Sequence, residues 1–85
     1  MKYRSVVFLD GDDADEPFRI LNKQGEDALF EYLLQWEYGE TGEVYSEIPW
    51  GTYDVTAFFN QDGIDYCVSY NWNLSYVSLT EVISE

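Results

Sequence analysis

Two alternating stretches of apolar and polar residues, joined by a short turn sequence, are the feature that most constrains this fold. Apolar side chains occupy every second position on both sides of the turn, at Tyr53, Val55, Ala57, Phe59, Ile64, Tyr66, Val68 and Tyr70. A period of two residues predicts strands with one buried face. The intervening residues 60–63, Asn-Gln-Asp-Gly, favour a type I turn with a bulge. We therefore expect an antiparallel hairpin.

Two helical segments are predicted between a first strand over residues 3–9 and the hairpin. Within 25–39 the apolar residues fall at the i, i+3, i+4, i+7 spacing of an amphipathic helix, at Leu29, Tyr32, Leu33 and Trp36, and Gly39 is placed to end it. Segment 13–25 also favours a helix, since acids precede Pro17 and Lys23 comes just before Gly25. A short strand over 18–21 is the alternative.

The order of these segments predicts a single small α+β domain spanning residues 1–85. Segment 74–83 reads as a further strand, and 40–51 reads as a loop. The expected architecture is an antiparallel β meander of three or four strands, packed against one or two helices in the order β-α-α-β-β-β. Sixteen aromatic residues provide the apolar surface for one core, so intrinsic disorder is not expected.

Negative charge is distributed unevenly along the chain. Seventeen acids and four cations give a formal net charge of −13. All four cations lie in residues 1–23, whereas residues 24–85 contain twelve acids and no cation. Such a surface repels phosphate backbones and anionic lipids and attracts basic protein surfaces or metal cations. We expect a basic protein partner, with no direct binding of nucleic acid or membrane.

The cysteine content bears on the compartment. Cys67 is the only cysteine, so no intramolecular disulfide can form, which suits a reducing cytoplasm. No signal sequence is recognised, and no apolar stretch approaches the ~20 residues of a membrane span. We therefore expect a cytoplasmic protein.

Residue types argue against catalysis. Histidine is absent, which removes the commonest general base. Residues 6–12, Val-Val-Phe-Leu-Asp-Gly-Asp, resemble the first motif of the haloacid-dehalogenase-type phosphatases, in which the first Asp is the nucleophile. Those enzymes also use a later basic residue, and none follows Lys23 here. We expect a strand and a solvated turn at this position, and we expect neither catalytic residues nor a cofactor.

The acidic run Asp10–Glu16 does not match the pattern of an EF-hand calcium-binding loop. An EF-hand loop starting at Asp10 needs Asp or Asn fifth, Gly sixth and Glu twelfth, and the chain has Ala14, Asp15 and Leu21 there. No metal site is therefore assigned. A weak divalent-cation-binding module using this run remains one alternative function, and an acidic housekeeping domain is another.

Aromatic residues interleaved with acids predict a protein interface. Exposed Tyr and Trp side chains are common anchors of protein contacts. The predicted partner-binding residues are Glu37, Tyr38, Glu40, Glu43, Tyr45, Glu47, Trp50, Asp54, Asp62 and Asp65. The expected function is a non-catalytic interaction module for a basic partner. One form of it is an inhibitor that imitates nucleic-acid charge, because small acidic proteins of that kind share this size and composition.

Overall fold

A five-stranded antiparallel sheet forms the framework of the computed structural model, which describes residues 2–36, 44–46 and 53–83. The strands are β1 (Lys2–Asp10), β2 (Val44–Tyr45), β3 (Val55–Gln61), β4 (Ile64–Asn71) and β5 (Tyr76–Ile83). The helices are α1 (Asp15–Gln24) and α2 (Glu26–Leu34), and a 3-10 turn (Gly11–Ala14) joins β1 to α1. Within the sheet the strand order is β2-β1-β5-β4-β3.

The small α+β domain is confirmed, but the predicted strand number and order are partly wrong. Five strands are present rather than three or four, and the chain order is β-α-α-β-β-β-β. The additional strand, β2, has two residues and lies in the segment expected to be a loop, where it pairs with Tyr3 and Arg4 of β1. Two residues are too few to show any periodicity. Strands β3, β4 and β5 form the expected meander, and β1 joins it beside β5.

The predicted hairpin is correct, but its turn type is not. Gln61 pairs with Ile64, which leaves a two-residue turn at Asp62 and Gly63. Both turn residues have positive φ, 55° and 82°. Positive φ at both positions is typical of a type I′ turn, whose twist matches that of the flanking strands better than a type I turn.

The helix predicted over residues 13–25 is confirmed as α1 over 15–24, rather than a strand over 18–21, and the second helix is shorter than predicted. Helix α2 ends at Leu34, before Gly39, which lies outside the described residues. Its last turn tightens, because the amides of Gln35 and Trp36 donate to the carbonyls of Tyr32 and Leu33, each at 3.2 Å. Such i to i−3 bonds are common at helix ends.

The main core lies between the helices and one face of the sheet. The central strands contribute alternate residues from β1, β4 and β5, and the helices contribute Leu21, Leu29, Phe30 and Leu33. Phe30 stacks on Phe59 of β3 with ring centroids 4.5 Å apart. These contacts fix which face of β3 points inward.

The opposite face of the sheet carries a buried layer of small polar side chains. It consists of Ser5, Cys67, Ser69, Ser78 and Thr80, all at most 1% exposed. In β4 and β5 these positions alternate with the core residues, and the register aligns Thr80 with Cys67 and Ser78 with Ser69. In β1 a bulge between Ser5 and Val7 puts Ser5 on the same face as Thr80. Central strands are thus buried on both faces. Among the described helices, none has the length and apolar character to cross a membrane.

Candidate protein-interaction site

Three of the predicted partner-binding carboxylates lie on or beside the β3–β4 hairpin. Asp54 precedes β3, Asp62 is in the turn, and Asp65 is on β4, all exposed. An oxygen of Asp54 accepts the Trp72 backbone amide at 2.9 Å. An oxygen of Asp65 accepts the Asn60 side-chain amide at 2.8 Å. These neutral donors orient two of the carboxylates without cancelling their charge.

The negative charge of the hairpin is not compensated by a neighbouring cation. Within the described ranges, ion pairs join Arg4 to Glu81 at 2.9 Å and Arg19 to Glu16, and none includes a carboxylate of the hairpin. The negative charge also acts on the hydroxyl of Tyr66 on β4. Burial raises the pKa of its hydroxyl, and the charges of Glu81 and Asp62 raise it further. The hairpin is therefore a region of net negative potential.

An exposed aromatic side chain lies near one of these carboxylates, that of Asp65. Phe58 is 63% exposed, on the face of β3 opposite the Phe59 side chain. It borders an open groove of about 400 Å³, which we call the β3 groove, lined by Phe58, Phe59, Asn60, Asp65 and Val82. The groove combines apolar walls with one carboxylate. That chemistry suits the long side chain of lysine or arginine, whose stem is apolar and whose head is cationic.

The structure does not bring all the predicted residues together. Tyr45 lies on β2, opposite Tyr3, at the other edge of the sheet from β3. Four strand spacings separate the two edges, or about 19 Å. The remaining predicted residues, Glu37, Tyr38, Glu40, Glu43, Glu47 and Trp50, lie outside the described residues.

Phe58, Asn60 and Val82 line the β3 groove but were not among the predicted partner-binding residues. Phe58 occupies an outward position in an alternating strand, where a polar residue is usual. An apolar residue at an outward strand position was therefore the sequence feature that could have indicated an exposed contact surface. Val82 reaches the groove through the pairing of β5 with Asp65 of β4, which no local pattern encodes.

Other candidate chemistry has less support in the geometry. The Asp10–Glu16 run forms the end of β1, the 3-10 turn and the start of α1. In the part of the chain that the structure describes, no three acidic or cysteine side chains converge on a possible metal position. Burial raises the pKa of the Cys67 thiol, an effect that hydrogen bonding with Ser69 and Thr80 opposes. A raised thiol pKa disfavours the nucleophilic thiolate.

Comparisons with known protein families, curated proteins and solved structures found no match. A function for this chain must therefore be inferred from its own residues.

Proposed function

We propose that this chain is a non-catalytic module that binds a basic protein through the hairpin surface, defined here as Phe58, Asn60, Asp62, Asp65 and Val82. The observation that carries the proposal is an exposed phenylalanine that lines one groove together with the uncompensated carboxylate of Asp65. A net charge of −13 attracts a positive partner over a distance, and the aromatic ring supplies a contact that excludes water.

The partner class follows from the sign of the charge. Proteins with extended positive surfaces include those that bind nucleic acids, because phosphate recognition requires Lys and Arg. A chain that covers such a surface acts as an inhibitor by occupying the nucleic-acid site. The free, buried Cys67 is compatible with this role in a reducing cytoplasm.

The test starts with capture of partners on the immobilised chain at about 50 mM and about 300 mM NaCl, since added salt screens charge attraction. A captured protein is then purified and its affinity measured against two matched variants. Asp62→Asn with Asp65→Asn removes two charges from the hairpin surface. Asp12→Asn with Asp13→Asn removes two charges from the 3-10 turn, at the other end of the strands.

The hairpin variant should bind about tenfold more weakly, because each exposed charge pair contributes up to about 1 kcal/mol. The variant of the 3-10 turn should bind within about twofold of the wild type, since a distant charge is screened. Equal losses in the two variants would show that net charge alone attracts the partner and would refute the hairpin surface as the site.

A third variant examines the acidic segment that the sequence places in the interface. Changing Glu40, Glu43 and Glu47 together to Gln removes three charges from the segment between α2 and β3. A loss of affinity additional to that of the hairpin variant would extend the interface to this segment. Competition by the partner's own nucleic acid would identify the inhibitory form of the function.

A further inference from the structure

Strand β3 is an outer strand of the sheet. In the described part of the chain it pairs with β4 on one side and with no strand on the other. Gln61 and Ile64 close a two-residue turn and therefore form a hydrogen-bonded pair, and this pattern alternates along an antiparallel ladder. The backbone N–H and C=O groups of Thr56, Phe58 and Asn60 consequently point to the open edge.

Within residues 55–61, β3 carries neither the charge nor the proline that commonly protects an outer strand from pairing. Outer strands of natural sheets are commonly shortened, charged or interrupted by proline. The β3 sequence VTAFFNQ has seven residues with no charge and no proline. It is rich in residues that favour strands. Such an edge is a template for a further strand.

We propose that the β3 edge receives one extended segment of the basic partner, which adds to the sheet as a sixth strand. The proposal rests on the proposed function and specifies how that partner binds. The added strand forms hydrogen bonds with the N–H and C=O groups of β3 that point to the open edge. One of its arginine or lysine side chains enters the β3 groove, with its stem against Phe58 and Val82 and its charged head at Asp65.

The hydrogen bonding of Asp65 suits this arrangement. One of its oxygens accepts the Asn60 amide at 2.8 Å, which holds the carboxylate at the mouth of the groove. The carboxylate has further acceptor capacity for a cation. Arginine fits better than lysine, because its planar head binds a carboxylate through two donors and stacks on an aromatic ring.

A second copy of this chain is a poorer occupant of the edge. Full antiparallel overlap of two β3 strands aligns Val55 with Gln61 of the other copy. The same register brings the bend at Asp54 towards the turn at Asp62 of the other copy, once at each end. Like charges brought together at the ends of a strand pair oppose its formation. A cationic segment meets the same two carboxylates with attraction instead.

The experiment uses a synthetic peptide of the same length as β3 that alternates arginine with valine, and a control peptide in which glutamate replaces arginine. Binding to the full chain is measured by titration at low salt, and amide hydrogen exchange is followed by NMR. The arginine peptide should bind and the glutamate peptide should not. Exchange at Thr56, Phe58 and Asn60 should slow at least about tenfold in the complex, since added strand bonds protect these amides.

Two substitutions separate strand addition from charge attraction. Thr56→Pro removes an amide that points to the open edge, where proline is tolerated, and leaves every carboxylate in place. It should weaken peptide binding about tenfold. Thr56→Val keeps the amide and should bind like the wild type. Melting curves confirm that both variants fold.

The outcomes distinguish this proposal from the proposed function. Salt-sensitive binding that is equal in the wild type and the Thr56→Pro variant, with no slowing of exchange at the edge, would overturn strand addition and leave the proposed function standing. Failure of the wild type to bind the arginine peptide or any basic protein would overturn both. If the wild type forms a dimer in sedimentation and the Thr56→Pro variant does not, the β3 edge binds a second copy of the chain. That result would overturn the proposal.

Discussion

The two adjacent phenylalanines of β3 should lower stability by very different amounts when each is changed to threonine, which keeps the strand preference of the site. Phe58 is 63% exposed, so little more than a third of it is shielded from water. Full burial of a phenylalanine contributes about 1.5–3 kcal/mol, and Phe58→Thr should therefore lower the free energy of unfolding by about 1 kcal/mol or less. For a domain of this size the melting temperature should fall by at most about 6 °C.

Phe59→Thr should be much more destabilising. Phe59 packs against the core, and its ring stacks on Phe30 at 4.5 Å with an angle of 6° between planes. The loss of buried surface and of this aromatic pair should lower the free energy of unfolding by about 3 kcal/mol. The melting temperature should then fall by about 15 °C.

The assay combines thermal unfolding, followed by circular dichroism, with titration of the arginine peptide at a temperature at which both variants are folded. Phe58→Thr should weaken peptide binding while the fold persists. Phe59→Thr should weaken the fold most, and binding by its folded fraction should fall less than in Phe58→Thr, because Phe59 lines the groove but its ring packs on Phe30. Equal destabilisation by the two changes would refute the side-chain assignment of β3. Undiminished binding by the Phe58→Thr variant would remove this ring from the interface.

Three further predictions concern stability. Melting temperature should rise between about 10 mM and 200 mM NaCl and should not respond to EDTA; a fall with salt would contradict self-repulsion of the acids. Burial raises the pKa of Tyr66, Tyr70 and Cys67, so these groups deprotonate first in the unfolded chain. Urea unfolding should therefore show stability falling as the pH rises above about 9. At Gly25 (φ 93°, ψ −177°), Ala and Asn should both destabilise by about 1–3 kcal/mol, whereas at Gly63 (φ 82°) Asn should be tolerated better than Ala.

Elements with a strong local period could be predicted from the sequence. The stripe of α2 places Leu29 and Leu33 in the core, where both are fully buried, and the alternation on each side of residues 60–63 gives the β3–β4 hairpin. In each case the pattern repeats over several residues, so that only one secondary structure buries all of its apolar members. The inward and outward positions of Phe59 and Phe58 follow from the same alternation.

Features that depend on distant pairing could not be predicted. The place of β1 beside β5 is set by contacts between the two ends of the chain. Without knowledge of that strand order, the sequence could not show that Tyr45 lies far from the hairpin carboxylates. The polar layer was also missed, because Ser69 and Ser78 occupy alternate positions that suggest exposure to solvent. Both are fully buried, and small polar side chains can pack in an interior as closely as apolar ones.

The acids at the two ends of β3 should also keep the free chain from pairing with itself. Full overlap of two β3 strands brings Asp54 of each copy towards Asp62 of the other, and each such approach opposes pairing by up to about 1 kcal/mol. Changing both to Asn should therefore tighten self-association by up to about thirtyfold. The hydrogen bond from the Trp72 backbone N–H to residue 54 should persist in this variant, because the side-chain oxygen of asparagine is also an acceptor. Sedimentation equilibrium measures the association, with Asp12→Asn and Asp13→Asn as the control of equal charge change. Because that control alters net charge without altering the edge, equal dimerisation of the two variants would show that total charge, rather than the register of β3, keeps the chains apart.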